Sequence, residues 1–513
     1  MKRVSILNHV IGPIMRGPSS SHTAGPHRIG RVARDLLGEK PLKAEFLIDP
    51  SSSLAVCYHD QGSDLAFVTG LLERNLTDSD FAAMFQVAEE EGLSLRFALE
   101  PFDEADHPNS TLLRLEGAHS SVVLHSRSVG GGSIEIASVD GFPLRIVGDS
   151  HELLVEVEAT AAPAFLERLL AWDPRTKRID GSRTVLLHGS APAGPDEALV
   201  ETLRALPGLK RLRQARPVMH PLKGEILFQD TKELLLLADR KGWSLAEAAL
   251  AYEERLLGLT REELLAEMDH RLVVMIESVR QGLEENPPMQ LLEPTASKVL
   301  AAEKAGTMAL GGPHVRAAAR ALAAMHTNGG SGVVCAAPTG GSAGVLPAVT
   351  TTLMEDLNIS REATVKAMWA AGAIGLALDR RSTFSAEVCG CQVEIGAAGA
   401  MAAAAVVEAA GGTALQACDA AATVFQNMMG SVCDLVQGVV EVPCHSRNAA
   451  LASQAFLCAD MILGGYENPV PLDETIDAVD STGRMLPEEL RCTARGGLAL
   501  CPSARAMRRR DGN

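Results

Sequence analysis

The chain has 513 residues, of which 46% are hydrophobic and 22% are charged, and its formal net charge is −17. This length allows several domains, each with its own core. The strong negative charge argues against nucleic acid or an anionic membrane surface as a partner. The net charge does not exclude a small anionic substrate, because a local pocket can carry the opposite charge.

Neither a signal peptide nor a membrane helix is predicted. The N-terminal stretch MKRVSILNHVIGPIM lacks a long apolar core. The Ala-rich run from Ile395 to Val407 is too short to span a bilayer and is flanked by Glu394 and Glu408. Ten cysteines without secretory features indicate reduced thiols. The sequence therefore predicts a cytoplasmic protein.

Residues 1–147 alternate short apolar runs with turn residues, a pattern typical of an α+β domain. Helices are predicted at RIGRVARDLL and DLAFVTGLLERN. Strands are predicted at AEFLIDPSSSLAV, LSLRFAL, STLLRLEG, SSVVLHS and SIEIASVDG. The domain is expected to end near GFPLRIVGDS.

Residues 148–218 repeat this alternation on a smaller scale. Strands are predicted at HELLVEVEA, RIDGSRTVLLHGS and LKRLRQARPV, with helices at AAPAFLERLLAW and PDEALVETLRALPG. The order strand, helix, strand, helix, strand resembles a small regulatory ACT domain. A plain interdomain βαβ module is the alternative.

Residues 219–513 are predicted to be all-helical. Their first part places apolar residues at helical spacing among many Glu, Arg and Leu residues. From about residue 295 to residue 505 the chain becomes rich in Ala and Gly and poor in charge, which indicates buried helices with functional loops. The predicted fold class is therefore α+β multidomain: an N-terminal α+β domain, a small ACT-like βαβ domain and a C-terminal all-α domain.

The loop GPSSSHTAGPHRIG, at the start of the first predicted helix, is a candidate anion site. Backbone N–H groups and hydroxyls at a helix start favour a carboxylate or a phosphate. The candidate residues are Ser19, Ser20, Ser21, His22 and Thr23. A simple N-capping turn is the alternative, since Ser and Thr are common there.

Two glycine-rich segments are further candidates. In SRSVGGGSIEI, three consecutive glycines let the backbone pass close to a ligand or a neighbouring domain, although a flexible hairpin explains them as well. CAAPTGGSAGVLPAV lacks the Gly-Lys-Ser/Thr of a Walker motif, so its N–H groups are expected to face a carboxylate. The candidate residues here are Thr339, Gly340, Gly341, Ser342 and, just upstream, Asn328.

Three cysteines, Cys391, Cys433 and Cys444, lie in three separate Gly- and Ala-rich segments. This dispersion is unlike a zinc knuckle and suits a pocket lined by three loops. Three thiolates that share a cluster leave one iron of a [4Fe–4S] cube open, and an open iron is a Lewis acid that can bind a hydroxyl. Cys389 is a candidate spare thiol or alternative ligand, and Cys501 is a candidate temporary fourth ligand.

Together these segments resemble the iron–sulfur-dependent L-serine dehydratases, also called L-serine ammonia-lyases. The matching segments follow the family's order along nearly the whole chain: GPSSSHTAGP, HPN at 107–109, SVGGG, APTGGSAGVLPAV, GCQVEIG, VCD around Cys433, VEVPCHSRNA and TARGGLA. The resemblance implies a β-type domain over 1–147, an ACT-type domain over 148–218 and an α-type domain over 219–513.

The resemblance also implies a [4Fe–4S] cluster bound by Cys391, Cys433 and Cys444, with no pyridoxal phosphate. The implied reaction removes water from a β-hydroxy amino acid, first of all L-serine, to give pyruvate and ammonia. A homodimer is expected, because ACT-type domains often pair. The expected catalytic residues are His22, His59 and Ser21, and the expected substrate-binding residues are Ser19, Ser20, Thr23, Asn328, Thr339, Gly340, Gly341, Ser342 and Arg381.

Several positions depart from the family pattern, and two of them bear on the reaction and the substrate. Gln61 stands where the family has the His of Gly-His-x-Thr-Asp, with Asp64 retained, and a glutamine side chain cannot take up a proton at neutral pH. Either His59 or His22 then acts as the acid/base group, or the reaction differs. Arg381 adds a cation that would suit a second substrate carboxylate, unless it simply faces outward.

Two functional alternatives follow from these departures. The first is the same cluster chemistry on another β-substituted or dicarboxylic amino or hydroxy acid. The second is a non-catalytic sensor of redox state or of an amino acid.

Overall fold

The computed structural model describes residues 2–510. The chain forms two compact units. Met1–Thr23, Gly130–Gly132 and Gly224–Asn513 form one, here called the helical unit, while Ala24–Val129 and Ser133–Lys223 form the other, the sheet unit. A multidomain α+β fold with a sheet-rich N-terminal region and a helical C-terminal region is thereby confirmed.

The chain begins with a π-helical turn, Ile6–Val10, followed by strand β1, Ile14–Arg16. The carboxylate of Glu253 accepts hydrogen bonds from the backbone N–H groups of Ile6 and Leu7, both at 3.0 Å. This carboxylate fixes the start of the chain inside the helical unit.

The sheet unit contains a six-stranded sheet in the order β3-β2-β4-β5-β6-β7. Strand β2 pairs in parallel with β3 and antiparallel with β4. The elements are α1 (Ala24–Leu37), β2 (Lys43–Ile48), α2 (Ser53–Cys57), α3 (Ser63–Leu71), α4 (Met84–Glu90), β3 (Ser94–Leu99), β4 (Ser110–Glu116), β5 (Ser121–Gly130), β6 (Ser133–Val139) and β7 (Phe142–Ile146).

Two details of the predicted elements in this region are wrong. The strand predicted over AEFLIDPSSSLAV ends at Ile48, and its second half is helix α2. The hydroxyl of Ser52 accepts a hydrogen bond from the N–H of Ala55 at 3.1 Å and so caps that helix. Helix α4 was not predicted, because MFQVAEE is too short to show a clear helical period.

A second, four-stranded sheet of the same unit has the order β11-β8-β10-β9 and is antiparallel throughout. Its elements are β8 (His151–Glu158), α5 (Ala162–Trp172), β9 (Lys177–Asp180), β10 (Thr184–Ala191), α6 (Glu197–Ala205) and β11 (Leu209–Ala215). The single strand predicted over RIDGSRTVLLHGS is a hairpin of β9 and β10. It turns at Gly181, whose N–H donates to the carbonyl of Thr184 at 2.9 Å.

The helical unit is built around one apolar helix, α15. Its elements are α7 (Thr231–Lys241), α8 (Leu245–Leu257), α9 (Arg261–Glu284), α10 (Ala296–Lys304), α11 (Pro313–Gly329), β12 (Val333–Cys335), α12 (Val345–Glu355), α13 (Arg361–Arg381), α14 (Ala386–Cys389), α15 (Ile395–Ala409), α16 (Ala414–Met428), α17 (Cys444–Leu463), α18 (Leu472–Met485) and α19 (Pro502–Arg505). Strand β12 pairs antiparallel with β1, with Ile14 opposite Cys335.

Small residues let α15 pack closely against α13, α16 and α17. A Cβ atom added at Gly399 would lie 2.4 Å from the Leu451 side chain, so a larger residue does not fit there. Within residues 2–510, only the segment Cys391–Ala409 is long and apolar enough to cross a membrane. Because 89% of its most apolar window is buried inside the fold, it has the character of a core helix.

Candidate active site

The three predicted cluster cysteines lie together in the helical unit. Cys391 begins a 3₁₀ turn just before α15, Cys433 lies in the loop between α16 and α17, and Cys444 is the first residue of α17. None of the three is more than 6% exposed. Within residues 2–510, none of the ten cysteines is in a disulfide.

Contact between the thiols shifts their pKa values. The hydrogen bond with Cys433, and then burial, raise the pKa of the Cys391 thiol well above its ordinary value. Burial and the neighbouring Cys391 raise the pKa of the Cys444 thiol. The pKa of the Cys433 thiol is also raised well above its ordinary value. The hydrogen bond with Cys391 lowers this pKa, but the hydrogen bond with Cys492 and burial raise it by more. Cys391 therefore contacts Cys433 and lies near enough to Cys444 for the two thiols to influence each other.

Three thiols have the donor chemistry that an iron–sulfur cluster uses. No group of three or more His, Cys, Asp or Glu side chains in the described part of the chain could hold one metal ion. A cube does not need such a group, since each thiolate binds a different iron. Three buried cysteine sulfurs from three loops meet that requirement.

Arg447, on α17, joins the cysteine segments. Its Nη1 lies 3.6 Å from Cys391 Sγ and donates to the carbonyl of Val432 at 2.8 Å, while Nη2 donates to Asp434 Oδ1 at 2.9 Å. The other oxygen of Asp434 accepts from the N–H of Leu498 at 2.9 Å. The guanidinium therefore places a positive charge beside a cysteine sulfur, where it favours the thiolate.

Of the predicted catalytic residues, His22 has the most enclosed imidazole. Its Nδ1 lies 3.0 Å from Ser19 Oγ and 4.0 Å from Glu387 Oε1, and the neighbouring Ser21 is 6% exposed. Its Nε2 is buried and has no hydrogen-bond partner among the described residues. Burial lowers the pKa of His22, with the Glu387 carboxylate opposing this shift. The ring is therefore neutral at pH 7, the form that can accept a proton.

Two hydrogen bonds connect the segment GPSSSHT at 17–23, here called the serine loop, to other predicted site residues. Ser20 Oγ accepts from the N–H of Gly340 at 3.2 Å, and Asn328 Nδ2 donates to the carbonyl of Pro18 at 2.9 Å. Asn328 Oδ1 is buried and lacks a partner within residues 2–510. The hydroxyl of Thr23 instead donates to two backbone carbonyls, at 2.7 and 3.0 Å, and so holds the loop in shape.

The glycines of SVGGG also belong to this unit. Gly130 and Gly131 have φ angles of 105° and 61°, in the left-handed region that favours glycine. A Cβ atom at Gly130 would lie 2.9 Å from the N atom of Ser385. The close backbone approach predicted for this segment is therefore to the chain just before α14.

Glu394 lies beside the segment Thr339–Ser342, here called the TGGS loop. The sequence alone did not assign this carboxyl group to the site. Thr339 Oγ1 donates to Glu394 Oε1 at 2.7 Å, and Thr339 forms a capping box with Ser342 around a 3₁₀ turn. A Cβ atom at Gly341 would lie 2.6 Å from the same oxygen, so a larger residue there would displace the carboxylate. Burial raises the pKa of Glu394 to about 7, with the Thr339 hydrogen bond opposing and Glu387 reinforcing the shift.

The predicted residues His59, Gln61 and Asp64 lie in the sheet unit. His59 Nδ1 is 2.6 Å from Asp64 Oδ2, and the side chain of His59 is 74% exposed. The hydrogen bond with Asp64 raises the pKa of His59. Gln61, by contrast, is only 2% exposed. His59 and Asp64 therefore form a pair at the surface of the unit, with the imidazole exposed and the carboxylate buried.

Arg381 is held by carboxylates of helix α18. Its Nη1 lies 2.8 Å from Asp477 Oδ1, and its Nε lies 3.1 Å from Asp473 Oδ1. Two carboxylates neutralise the guanidinium, which leaves no spare charge for a second substrate carboxylate. This placement matches the outward-facing alternative.

The two cysteines considered as alternative ligands have other neighbours. Cys389 Sγ lies 3.8 Å from Asp480 Oδ1, and Cys501 packs against the apolar cluster around Val436 and Val439. The additional thiol beside Cys433 is that of Cys492, which sequence analysis did not identify.

The turn that leads into Cys444 depends on Glu441, which is 1% exposed. Its carboxylate accepts three backbone N–H groups, from Gln290 at 2.6 Å, Leu291 at 2.9 Å and Leu292 at 2.7 Å. We expect Glu441→Gln to lower the free energy of unfolding by about 2 kcal/mol, because an amide cannot satisfy three donors as a carboxylate does. Urea unfolding measures this change.

The control for Glu441 is Glu467→Gln, which makes the same chemical change at an exposed position of the same unit. It should leave the unfolding midpoint unchanged. Equal midpoints for both variants and the unaltered protein would contradict the anchoring role of Glu441.

Comparison with known proteins shows which family the chain is similar to. The family model described as "Serine dehydratase alpha chain" matches residues 240–499. A "Probable L-serine dehydratase, alpha chain" of Bacillus subtilis (strain 168) is 39% identical over 285 residues, 55% of this chain and 95% of that protein. The "L-serine dehydratase, alpha chain" of Peptoniphilus asaccharolyticus is 32% identical, over 55% of this chain and 98% of that protein.

A second kind of relative is also similar to the chain. The "Probable L-serine dehydratase, beta chain" of Bacillus subtilis (strain 168) is 39% identical over 155 residues, which are 30% of this chain and 69% of that protein. One polypeptide here thus resembles both an alpha chain and a beta chain. The chain therefore belongs to the iron–sulfur-dependent L-serine dehydratase family.

Proposed function

We propose that this chain removes water from L-serine and yields pyruvate and ammonia. The observation that carries the proposal is the meeting of Cys391, Cys433 and Cys444 in one buried place, beside a loop that also contacts Glu394. The names of the relatives support the substrate.

In this proposal Cys391, Cys433 and Cys444 hold a [4Fe–4S] cluster, and Arg447 stabilises the Cys391 thiolate. When bound, the cluster supplies an open iron that acts as a Lewis acid toward the substrate hydroxyl. The protein's own groups then bind the substrate and move its protons.

The substrate-binding part of the proposal uses the serine loop and the TGGS loop. The hydroxyls of Ser19, Ser20 and Ser21, together with the N–H of Gly341, bind the substrate carboxylate. The buried Oδ1 of Asn328 accepts from the substrate ammonium, which satisfies an oxygen that otherwise has no partner in the described chain.

Elimination needs both a base and an acid, because the α-proton is weakly acidic and hydroxide is a poor leaving group. We assign the base to His22, whose neutral ring has a buried, open Nε2. We assign the acid to Glu394, held by Thr339. The lowered pKa of His22 suits a base, and the raised pKa of Glu394 suits an acid. The proton leaves Cα for His22, the hydroxyl departs as water with a proton from Glu394, and the aminoacrylate tautomerises and hydrolyses.

The proposal includes three further features. Residues 148–218 act as an ACT-type regulatory domain between a β-type domain (1–147) and an α-type domain (219–513), supported by the β8-α5-β9-β10-α6-β11 order. The protein acts as a homodimer. It works in the cytoplasm, where the thiols of its ten cysteines stay reduced.

The test uses anaerobically purified protein reconstituted with iron and sulfide. We expect ammonia and pyruvate from L-serine, and neither product from the Cys433→Ala variant. A panel of L-threonine, D-serine and 3-hydroxyaspartate measures selectivity. A cluster-loaded protein that turns over 3-hydroxyaspartate but not L-serine would overturn the substrate assignment, and no turnover of any compound would favour the sensor alternative.

A further inference from the structure

A fourth thiol, that of Cys492, lies at the three-cysteine site. The N–H of Cys433 donates to the carbonyl of Leu490, and the N–H of Cys492 donates to the carbonyl of Cys433, both at 2.9 Å. The bridge between Cys433 and Arg491 is parallel. Residues 490–492 therefore run alongside Cys433 like a neighbouring strand. A direct backbone hydrogen bond from Cys492 to Cys433 thus brings the two residues next to each other, which a disulfide requires.

The two thiols differ in exposure. Cys433 is only 4% exposed, whereas Cys492 is partly exposed, and the two side chains interact directly. Cys492 also has a φ angle of 63°, a conformation that residues other than glycine seldom adopt. Such a conformation persists only where the surroundings hold it. A partly exposed cysteine is thus held beside a buried one.

We propose that Cys433 and Cys492 form a disulfide when hydrogen peroxide reaches the cluster-free protein, and that this disulfide prevents cluster assembly. The blocking part rests on the proposed function, since it takes Cys433 as a cluster ligand. The disulfide part rests only on the placement of the two cysteines.

The chemistry balances with hydrogen peroxide as the two-electron oxidant. The sulfur of Cys492 attacks one peroxide oxygen, the O–O bond breaks, and one water leaves with the formation of a sulfenic acid. The sulfur of Cys433 then attacks the Cys492 sulfur, the S–O bond breaks, and a second water leaves. Two thiols and one peroxide thus give one disulfide and two waters.

The consequence for the site is specific. Oxidation removes one of the three proposed ligands and leaves Cys391 and Cys444 as thiols. Thiol reductants reverse the change, because they exchange with a disulfide. The same pair therefore protects Cys433 from irreversible oxidation while the site waits for iron.

The experiment uses the full chain, prepared cluster-free under anaerobic conditions and treated with one equivalent of hydrogen peroxide. After alkylation and proteolysis, mass spectrometry should find the peptides of Cys433 and Cys492 joined. Iron and sulfide reconstitution should then fail, and it should succeed after treatment with dithiothreitol. The readout is iron and acid-labile sulfide per chain, independent of turnover.

The variants separate the possible outcomes. Cys492→Ser should load iron normally before oxidation, form no cross-link and still load iron after peroxide. Cys501→Ser, a matched change at another partly exposed cysteine of the C-terminal segment, should behave like the unaltered protein. A Cys391–Cys433 cross-link, or no cross-link at all, would overturn the inference.

Failure of the inference differs from failure of the proposed function. If the cross-linked protein still loads its full iron, the inference fails while L-serine turnover stands. If reduced protein loads iron but never turns over L-serine, the proposed function fails while the disulfide result stands.

Discussion

Replacing Cys444 with serine is expected to remove nearly all iron and acid-labile sulfide from the reconstituted protein and to abolish pyruvate formation from L-serine. A serine hydroxyl is a poor ligand for a cluster held by thiolates, and only two cysteines would then remain. Iron and sulfide analysis, the visible absorbance of the cluster and a pyruvate assay measure the effect.

The matched control is Cys458→Ser, because Cys458 lies on the same helix, α17, and is 0% exposed. Its Sγ lies 3.8 Å from Asn427 Nδ2, away from the cysteine site. Cys458→Ser should keep its cluster and its activity. If Cys444→Ser kept a full complement of iron, the assignment of Cys444 as a ligand would be wrong.

Glu394→Gln is the second change with a large expected effect. The amide keeps the size of the side chain but cannot give a proton to the departing hydroxyl, so kcat should fall by about 10²–10⁴-fold. The iron content should stay at the unaltered level, since Glu394 is not among the proposed ligands. Initial rates with L-serine, divided by the cluster content of each sample, give this comparison.

Glu408→Gln provides the control for Glu394. Glu408 lies near the other end of the same helix, its pKa is also raised by burial, and its Oε2 accepts from the N–H of Ala246 at 3.3 Å. This variant should keep its kcat. An unchanged kcat in Glu394→Gln would exclude the acid role, and a loss of iron there would indicate a structural role.

The cysteine site could be predicted because its chemistry is concentrated in rare residues. Only ten of the 513 residues are cysteines, and three of them lie in separate Gly- and Ala-rich segments. Glu394 was missed because Asp and Glu together number 64, so one more carboxylate carries little signal. Its place inside the apolar segment GCQVEIG was the available clue, since an acidic residue next to a buried helix needs a partner.

Cys492 illustrates a different limit. Nothing in its local sequence marks it, because the contact with Cys433 arises from a backbone bridge between segments far apart in the chain. Arg381 shows the converse: its charge was visible in the sequence, but its neutralisation by Asp473 and Asp477 depends on how α18 packs. Short elements such as α2 and the β9–β10 hairpin were misassigned because local caps and turns decide them.

The order in which the two units are encoded has a consequence for synthesis on the ribosome. The sheet unit is almost contiguous, Ala24 to Lys223, whereas the helical unit needs residues 2–23 and everything after Gly224. Strand β1 must wait for its partner β12, and the serine loop for its partners Asn328 and Gly340, about 15–60 s later per 300 residues translated. We therefore expect the sheet unit to fold first, with the N-terminal segment kept unpaired until β12 has been synthesised.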